Sequence, residues 1–392
     1  MGSMRLLHTS DWHLGRSFHG VGLLGAQAEY VDHLVELVRS EALDAVLVSG
    51  DVYDRALPAP DAVALLSEAV TRIIDAGARV VISSGNHDSA IRLGFASELL
   101  ADAGLHIRTD PARIGEPVLL DDVAIHPLPY LEPASSSVGD LLGVTERSHT
   151  AVLRAAMDRV RTDLARRGPR SVVMAHCFAN GGASSDSERD ISSGGVGMVP
   201  AELFEGVGYA ALGHLHGQQR VAETVRYSGS PVAMSFSEAN QVKGSLLVDL
   251  DADGTARVES VPAPVHRPLA VIRGGLEEVL DSPEHAAAES AWVQVTLTDA
   301  VRPTGAMEQL TRRFPHLLNL RFEPEGEVLP VRSYAARLRR REPLDVCCDF
   351  VHDVRRGVGV SEQERELLQT ALEDVRRSPD EGRGGRRRRG AA

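Results

Sequence analysis

The 392-residue sequence contains only three cysteines, one lysine and no long apolar run. Cys177, Cys347 and Cys348 form no Cys-x-x-Cys pair, which excludes a disulfide framework and a zinc knuckle. No stretch approaches the roughly 18 consecutive apolar residues of a membrane-spanning helix. The N-terminus also lacks the basic start and long apolar stretch of a signal peptide. We therefore expect a cytoplasmic protein without a membrane partner.

The charge is strongly negative but unevenly distributed. The net charge is −13, whereas residues 331–392 carry 15 arginines against 11 acidic residues. An acidic body argues against nucleic acid as a partner, unless its carboxylates hold divalent cations or a partner subunit supplies the basic groove. Lys243 is the single lysine among 42 basic residues, and we interpret this ratio as codon bias rather than chemistry.

Short apolar strands alternate with amphipathic helices along the first half of the chain. The pattern begins with a strand over Arg5–His8, a helix over Ala26–Glu41 and a strand over Ala45–Ser49, and it predicts an α/β layer fold. The Gly/Ser-rich segment 180–197 is typical of a surface loop, which also suits substrate contacts. Prolines over 262–268 predict a domain boundary. The sequence therefore predicts a main domain over 1–262, a small α+β module over 265–328, helices over 331–377 and a disordered basic tail over 378–392.

Five short polar clusters each follow a predicted strand. In an open α/β sheet, ligands bind at the carboxyl ends of the strands, so we expect these clusters to converge. Residues two apart in extended backbone present their side chains on the same side, as Asp11 and His13 do. The clusters are Asp11-Trp12-His13, Gly50-Asp51-Val52-Tyr53-Asp54, Gly85-Asn86-His87-Asp88, Ala175-His176 and Gly213-His214-Leu215-His216.

These residue types suit metal chemistry. Carboxylates, an amide oxygen and imidazoles without cysteine favour manganese, iron or zinc over calcium. Two ions about 3.5–4 Å apart can share one bridging carboxylate and clamp a phosphate. Taken alone, each residue also fits an ordinary role, such as a helix cap, a turn residue or a core histidine. The prediction of a metal site depends on five clusters occurring in order.

The motifs resemble those of the calcineurin-like metallophosphoesterases. Asp-x-His, Gly-Asp-x-x-Asp, Gly-Asn-His-Asp, a later His and Gly-His-x-His form the signature of that family. The strings Leu7–Gly15 and Tyr227–Pro231 are similar to one branch, the SbcD nuclease subunits of bacterial SbcCD complexes. The resemblance implies a four-layer α/β/β/α core, followed by a small α+β capping domain that positions DNA and a C-terminal helix pair.

The resemblance also implies a ligand set for two divalent ions, expected to be manganese. The first ion is assigned to Asp11, His13, Asp51 and His216, and the second to Asp51, Asn86, His176 and His214, with Asp51 bridging. His87 is expected to meet the scissile phosphate and help the leaving oxygen depart. Asp54 is expected to hydrogen-bond and orient His87, although a cap or a contact with Arg55 is an alternative for it.

The function implied by the resemblance is a manganese-dependent DNA nuclease, with 3′–5′ double-strand exonuclease activity and single-strand and hairpin endonuclease activity. We expect it to work near the nucleoid with an SbcC-type coiled-coil ATPase, as a homodimer within a heterotetramer, in DNA recombination, replication and end processing. Its substrates would be double-strand ends, hairpins and single strands.

Two other functions remain open from the residues alone. A phosphatase or small-molecule phosphodiesterase is supported by Gly50-Asp51-x-x-Asp54-Arg55, but Ala56 and the long C-terminal extension argue against it. A non-catalytic scaffold is the other alternative, and the presence of every expected ligand argues against it.

The C-terminal helices are predicted from apolar residues at helical spacing over Leu344–Arg356 and Ser361–Arg377. Ser361 and Glu364 form a capping box. A helix pair with an apolar face is suited to docking a coiled coil, while packing on the core is the alternative. The predicted partner-binding residues are Leu344, Phe350, Val351, Leu367, Leu368 and Leu372.

Overall fold

The computed structural model describes residues 2–189, 197–325, 342–355 and 357–377. Its described helices and strands follow in chain order. The strands are β1 Met4–Thr9, β2 Ser17–Phe18, β3 Val21–Gly22, β4 Ala45–Ser49, β5 Arg79–Ser83, β6 Leu105–Arg108, β7 Val118–Leu120, β8 Val123–Pro127, β9 Ser171–His176, β10 Phe178–Ala179, β11 Met198–Val199, β12 Tyr209–Gly213, β13 Gln219–Arg220, β14 Val225–Tyr227, β15 Gly244–Leu250, β16 Ala256–Pro262, β17 Leu269–Gly274, β18 Trp292–Leu297 and β19 Leu317–Phe322. The helices are α1 Leu24–Ser40, α2 Pro60–Asp75, α3 Ala90–Leu93, α4 Ser97–Ala101, α5 Ser136–Leu142, α6 His149–Leu164, α7 Leu276–Asp281, α8 Ala306–Arg313, α9 Pro343–Val354 and α10 Glu362–Arg377.

Two six-stranded sheets form the centre of the first structural unit. The first has the order β16-β15-β1-β4-β5-β6, and the second has the order β13-β14-β12-β9-β8-β7. In the first sheet, β1, β4, β5 and β6 pair in parallel, and β15 pairs antiparallel with β1. In the second, β8, β9, β12 and β14 pair in parallel. Parallel strands of this kind are buried on both faces, which explains their continuous apolar sequences.

Successive side chains of a strand point to opposite faces of its sheet and therefore pack in different layers. In β4, Val46 and Val48 pack in the cluster that includes α1 and α2, whereas Ala45 and Leu47 pack in the cluster between the two sheets. The second sheet packs its other face against α6, through residues such as Met157. The order is therefore helices, sheet, sheet, helix. This arrangement confirms the predicted four-layer α/β/β/α core.

The chain divides into two compact units within β17. The first unit comprises Met1–Val271 and Ser290–Trp292, and the second comprises Ile272–Glu289 and Val293–Ala392. The second unit contains α7, α8 and most of a sheet in the order β17-β18-β19, as well as α9 and α10. The predicted division into 1–262, 265–328 and 331–377 stays a prediction. The predicted disordered tail over 378–392 lies outside the described residues.

The capping box predicted for the last helix is present. The Ser361 main-chain N–H donates to the Glu364 carboxylate at 2.8 Å, and the Glu364 N–H donates to the Ser361 hydroxyl at 3.3 Å. The two C-terminal helices are also joined by ion pairs, Arg355–Glu364 at 2.8 Å and Arg365–Asp345 at 3.1 Å. No described helix has the length and apolar character needed to cross a membrane.

The two sheets lie close together where β4 and β12 end. A Cβ atom built on Gly213 would lie 1.9 Å from the Ser49 carbonyl oxygen and 2.9 Å from His176 Nδ1. Contacts this short exclude any side chain, because the opposing atoms are main chain and a buried ring. The absence of a side chain at Gly213 therefore sets the spacing between the sheets at this end.

We expect Gly213→Ala to lower the free energy of unfolding by about 1–3 kcal/mol, because the methyl group overpacks the gap between the sheets. Urea denaturation followed by circular dichroism measures this change. Gly25→Ala is the matched control, since Gly25 lies in α1 and a Cβ atom there would meet nothing within 4 Å beyond its chain neighbours and its own helix backbone. That variant should be neutral or stabilising by up to about 1 kcal/mol. Equal stability of the two variants would contradict the packing argument.

Candidate metal centre

All five polar clusters of the sequence converge at the carboxyl ends of the strands in the first unit. Asp11 and His13 follow β1, Asp51 follows β4, and His176 ends β9. Asn86 and His87 follow β5, and His214 and His216 follow β12. The first sheet thus carries the carboxylates, and the second carries three of the histidines. Nearly all these side chains are buried: Asp11, His13, Asp51, His87, His176, His214 and His216 are each at most 6% exposed.

Several of these residues have left-handed backbone. The φ angles are 53° at Asp11, 44° at His13, 48° at Asp51 and 100° at His214. Residues other than glycine rarely adopt this region, and they keep it at functional sites where the surroundings determine the conformation. Here the main-chain N–H of Asp11 donates to the Gly50 carbonyl at 3.1 Å, and that of His13 donates to the Asp51 carbonyl at 3.0 Å. The loops after β1 and β4 therefore fix each other.

Asp11, His13 and His216 form the first group of donor atoms. One possible ligand atom from each lies within 4.8 Å of the others. The Nε2 atoms of His13 and His216 are 3.2 Å apart. The Asp11 carboxylate accepts the main-chain N–H of His214 at 3.1 Å, which fixes the carboxylate next to these two rings.

Asp11, Asp51 and His176 form a second group, in which one possible ligand atom from each residue again lies within 4.8 Å of the others. The Oδ2 atom of Asp51 lies 3.4 Å from His176 Nε2 and 3.5 Å from His13 Nε2. The Asn86 side-chain oxygen is 3.0 Å from the same His176 nitrogen. The His214 ring centroid lies 5.3 Å from that of His176. One oxygen of Asp51 is therefore between the two groups.

The donor set fits divalent cations. Two carboxylates, Asp11 and Asp51, are buried close together beside the imidazoles of these groups. Burial lowers the pKa of His176, but the negative charge of Asp51 and then of Asp11 outweighs it and raises that pKa to about 9. A buried site that holds an extra proton on imidazole is one that positive charge stabilises. Imidazole nitrogens with carboxylate and amide oxygens suit manganese, iron or zinc.

His87 lies beside these groups with a fixed ring orientation. Its Nδ1–H donates to the Asp54 main-chain carbonyl at 2.7 Å, so Nε2 carries the lone pair, 3.9 Å from Asp51 Oδ2. Burial is the main cause that lowers the pKa of His87, to about 4. The sequence predicts that the Asp54 side chain orients His87. In the structure the carbonyl of Asp54 does so, while its carboxylate lies 3.6 Å from His13 Nδ1 and 3.4 Å from Arg16.

Comparisons with known proteins agree with this geometry. Residues 4–218 match the family model described as calcineurin-like phosphoesterase. Residues 265–355 match the model SbcD_C, described as type 5 capsule protein repressor C-terminal domain. The chain is 33% identical over 348 residues to the SbcD subunit of nuclease SbcCD from Bacillus subtilis (strain 168), and the match covers 83% of this chain and 87% of that protein. The chain belongs to the SbcD family of calcineurin-like phosphoesterases. As a family member it is a metal-dependent phosphodiesterase of the nuclease type.

Solved structures add nothing to this assignment. The chain was matched to β-glucosidases from Exiguobacterium marinum and Micrococcus antarcticus, at 10% and 13% identity. The matches cover 82% and 80% of this chain, and 89% and 82% of those chains. Their TM-scores of 0.23 and 0.21 are too low to indicate a shared fold.

The sequence analysis of this SbcD-family protein missed residues that contact His216 but do not belong to either group of donor atoms. Ser187 and Glu188, within the segment interpreted as a surface loop, both hydrogen-bond His216. Glu238 and Lys243 form a buried ion pair next to them. The sequence holds one signal for them, the single lysine, which we interpreted as codon bias. Residues 190–196 of the same sequence segment lie outside the described residues.

Asp88 is a further residue whose role the sequence does not reveal. Its carboxylate accepts three main-chain N–H groups, from Val52 at 3.1 Å, Tyr53 at 3.0 Å and Gly85 at 2.9 Å. These bonds join the loop after β4, which carries Asp51, to the loop after β5, which carries His87. Asp88 therefore fixes the loop that carries Asp51 against the loop that carries His87, although Asp88 itself belongs to neither group of donor atoms.

We expect Asp88→Asn to lower the free energy of unfolding by about 1–3 kcal/mol, because an amide has one acceptor oxygen and leaves buried N–H groups without a partner. Denaturant titration measures the loss. Asp32→Asn is a suitable control, because the Asp32 side chain is 66% exposed and pairs with Arg72 on the helix surface. Exposed pairs of this kind contribute at most about 1 kcal/mol. If the Asp88 variant were no less stable than this control, the carboxylate would not join the loops.

Proposed function

We propose that this protein is a manganese-dependent DNA nuclease that hydrolyses phosphodiester bonds at a centre of two divalent ions. The observation that carries the proposal is the position of Asp51 Oδ2, within 3.5 Å of His13 on one side and His176 on the other. A single carboxylate oxygen between two donor groups is the arrangement that a bridging ligand requires.

The proposed ligands follow from the two groups. Asp11, His13, Asp51 and His216 would hold the first ion. Asp51, Asn86, His176 and His214 would hold the second. Bound ions supply a nucleophile at neutral pH and neutralise the charge that develops on the phosphate.

His87 is the proposed acid for the leaving oxygen. The Asp54 carbonyl holds the proton on Nδ1, which leaves Nε2 facing the centre. Burial keeps Nε2 without a proton near neutral pH, since the pKa of His87 is about 4. An anionic phosphate next to Nε2 raises that pKa, because the negative charge stabilises imidazolium. His87 would then carry a proton in the position where the leaving oxygen takes it up.

We further propose the activities of the SbcD branch: 3′–5′ double-strand exonuclease and single-strand and hairpin endonuclease, in recombination, replication and end processing. The relative from Bacillus subtilis is named as a subunit of a nuclease complex. The proposed partner is an SbcC-type coiled-coil ATPase, which would supply the basic surface that the acidic main domain lacks. Cleavage of hairpin DNA, compared with hydrolysis of an aryl phosphate, separates this function from a phosphatase.

The C-terminal helix pair is the proposed docking surface for that ATPase. No residue of α9 is buried among the described residues. Phe350 and Leu367 are 54% and 70% exposed. Val351, Leu368 and four neighbouring residues line a groove of about 280 Å³. Leu344 and Leu372 are half-buried on the same pair. An apolar groove on a helix pair suits the packing of a further helix.

A second copy of the chain is the proposed partner of three exposed apolar residues in and between α3 and α4. Ile91, Phe95 and Leu99 follow one another at intervals of four residues and are 89%, 80% and 82% exposed. Large apolar side chains that are this exposed are typical of an interaction surface. The surface supports the homodimer that is expected within a heterotetramer.

We expect His87→Asn to reduce DNA cleavage by about 10²–10⁴-fold while both ions stay bound, because His87 acts on the substrate and not on the ions. Elemental analysis and hairpin cleavage measure the two effects. Asp51→Asn is the comparison variant, and it should lose both ions because its oxygen lies between the two groups. His216→Ala should affect only one. Loss of an ion in the His87 variant would show that His87 is a ligand.

We expect truncation after Pro330 to leave a folded, metal-loaded dimer with manganese-dependent activity on single strands. The removed helices contribute no buried residue in α9, and the apolar surface of α3 and α4 is retained. Partner binding and ATP-dependent processing of duplex ends should be lost. Thermal melting, light scattering and a pull-down with the ATPase decide the outcome. Unfolding of the truncated chain would assign the helices to the core, and retained binding would place the docking site elsewhere.

A further inference from the structure

The single lysine of the chain occupies a buried position that suits an ammonium group. Lys243 is one of 42 basic residues, and the other 41 are arginine. Its side chain is 8% exposed. In a sequence so biased towards arginine, a lysine at a buried ion pair indicates a position where arginine does not fit.

Four oxygen atoms surround Lys243 Nζ. It donates to the His216 carbonyl at 2.8 Å, the Gln241 side chain at 2.9 Å and the Ser230 hydroxyl at 3.1 Å, and it forms an ion pair with the Glu238 carboxylate at 2.5 Å. An ammonium is a compact charge whose three protons point towards oxygens on several sides. A guanidinium is flat and larger, and it cannot donate to an enclosing set of this kind without displacing it.

Hydrogen bonds connect the ion pair to His216, a proposed metal ligand. The Glu238 side chain is fully buried, and its Oε1 atom accepts a hydrogen bond from the Ser187 hydroxyl. The same hydroxyl lies 2.6 Å from His216 Nδ1. Because the hydroxyl proton goes to Glu238, its oxygen accepts the proton of Nδ1. His216 is then left with a lone pair on Nε2, the atom that faces His13 at 3.2 Å.

The main chain of His216 is held by Glu188 and Lys243. Its N–H donates to Glu188 Oε1 at 2.7 Å, and its carbonyl accepts from Lys243. Ser187 is itself anchored, since its carbonyl accepts from Arg16 at 2.8 Å. The ring, the N–H and the carbonyl of His216 are therefore each fixed by a different partner. Partners of this type set the orientation and tautomer of metal-binding histidines.

We propose that Lys243, Glu238 and Ser187 are positioning residues, which act through His216 to hold its Nε2 towards the first of the two metal positions. We also infer that arginine cannot replace Lys243 in this role. The inference rests on the proposed function, because it assumes that His216 is a ligand of an ion. It predicts that the residues behind His216 determine the affinity of one ion and leave the other unchanged.

Manganese binding by the full-length protein tests the inference without DNA. Electron paramagnetic resonance of Mn²⁺ titrated into the chain gives the affinity of each site. Lys243→Arg and Ser187→Ala should weaken one ion by about 10–100-fold, the usual effect of losing such a partner, while the second ion binds as before. Ser187→Thr keeps the hydroxyl and should restore the affinity that Ser187→Ala loses.

Arg170→Lys is the matched control for a change at a buried cation. Arg170 is 4% exposed, pairs with Asp122, and precedes β9, at the end of the sheet opposite the centre. This variant should lower the melting temperature without changing manganese affinity. The Lys243→Arg variant should change both, or the affinity alone.

The possible results distinguish a failure of the proposed function from a failure of the positioning role. If wild-type protein binds no Mn²⁺, the proposed function fails before the positioning residues are tested. If wild-type protein binds two ions and Ser187→Ala binds them equally well, the positioning role is wrong. If Lys243→Arg does not fold, Ser187→Ala and Ser187→Thr, which leave the ion pair in place, decide the question. Unchanged affinity in a folded Lys243→Arg protein would show that arginine serves as well.

Discussion

The buried carboxylate of Asp51 is the interaction on which the rest of the centre depends. Its Oδ1 atom accepts the main-chain N–H of His87 at 2.8 Å, and its Oδ2 atom faces both His13 and His176. A Cβ atom at Gly85 would lie 2.1 Å from this carboxylate, so the neighbouring loop approaches it as closely as the main chain allows. Burial would raise the pKa of Asp51, but the histidines around it, His176 first, hold that pKa well below its usual value. One anion therefore organises the loops after β1, β4, β5 and β9.

Neither sheet forms the centre alone. The carboxylates follow strands of the first sheet, whereas His176, His214 and His216 follow strands of the second. Their separation is set by the apolar layer between the sheets and by the contact at Gly213. Chemistry in an SbcD-family protein thus depends on packing: a side chain that widens the gap between the sheets moves three histidines away from two carboxylates. Membership of the family explains the residue types at the candidate site, and the four-layer core explains how residues more than 200 positions apart meet.

Much of the fold was predictable, because apolar periodicity marks strands buried on both faces and polar residues directly follow them. The predicted strand over Ala45–Ser49 has the same bounds as β4, and the five clusters meet as expected. The contacts of individual atoms were not predictable. That the carbonyl of Asp54, and not its carboxylate, meets His87 depends on a local main-chain path that no spacing reveals. Glu238 and Lys243 were missed because their role arises from burial beside a loop some 50 residues earlier in the chain.

The pairing of β15 with β1 has a consequence for how the protein assembles. Met4 faces Leu250 in this pair. One edge of β1 pairs with the early strand β4, but its other edge has no partner until β15, near the end of the main domain, has been made. Pairings between such distant segments are slow to form, because the entropy of closing the loop is lost before the contacts stabilise it. His216 and Lys243 also come late in the chain. A ribosome must therefore release most of the first unit before the candidate metal centre can form. An interrupted chain carries the early carboxylates without the later histidines that lie beside them in the folded protein.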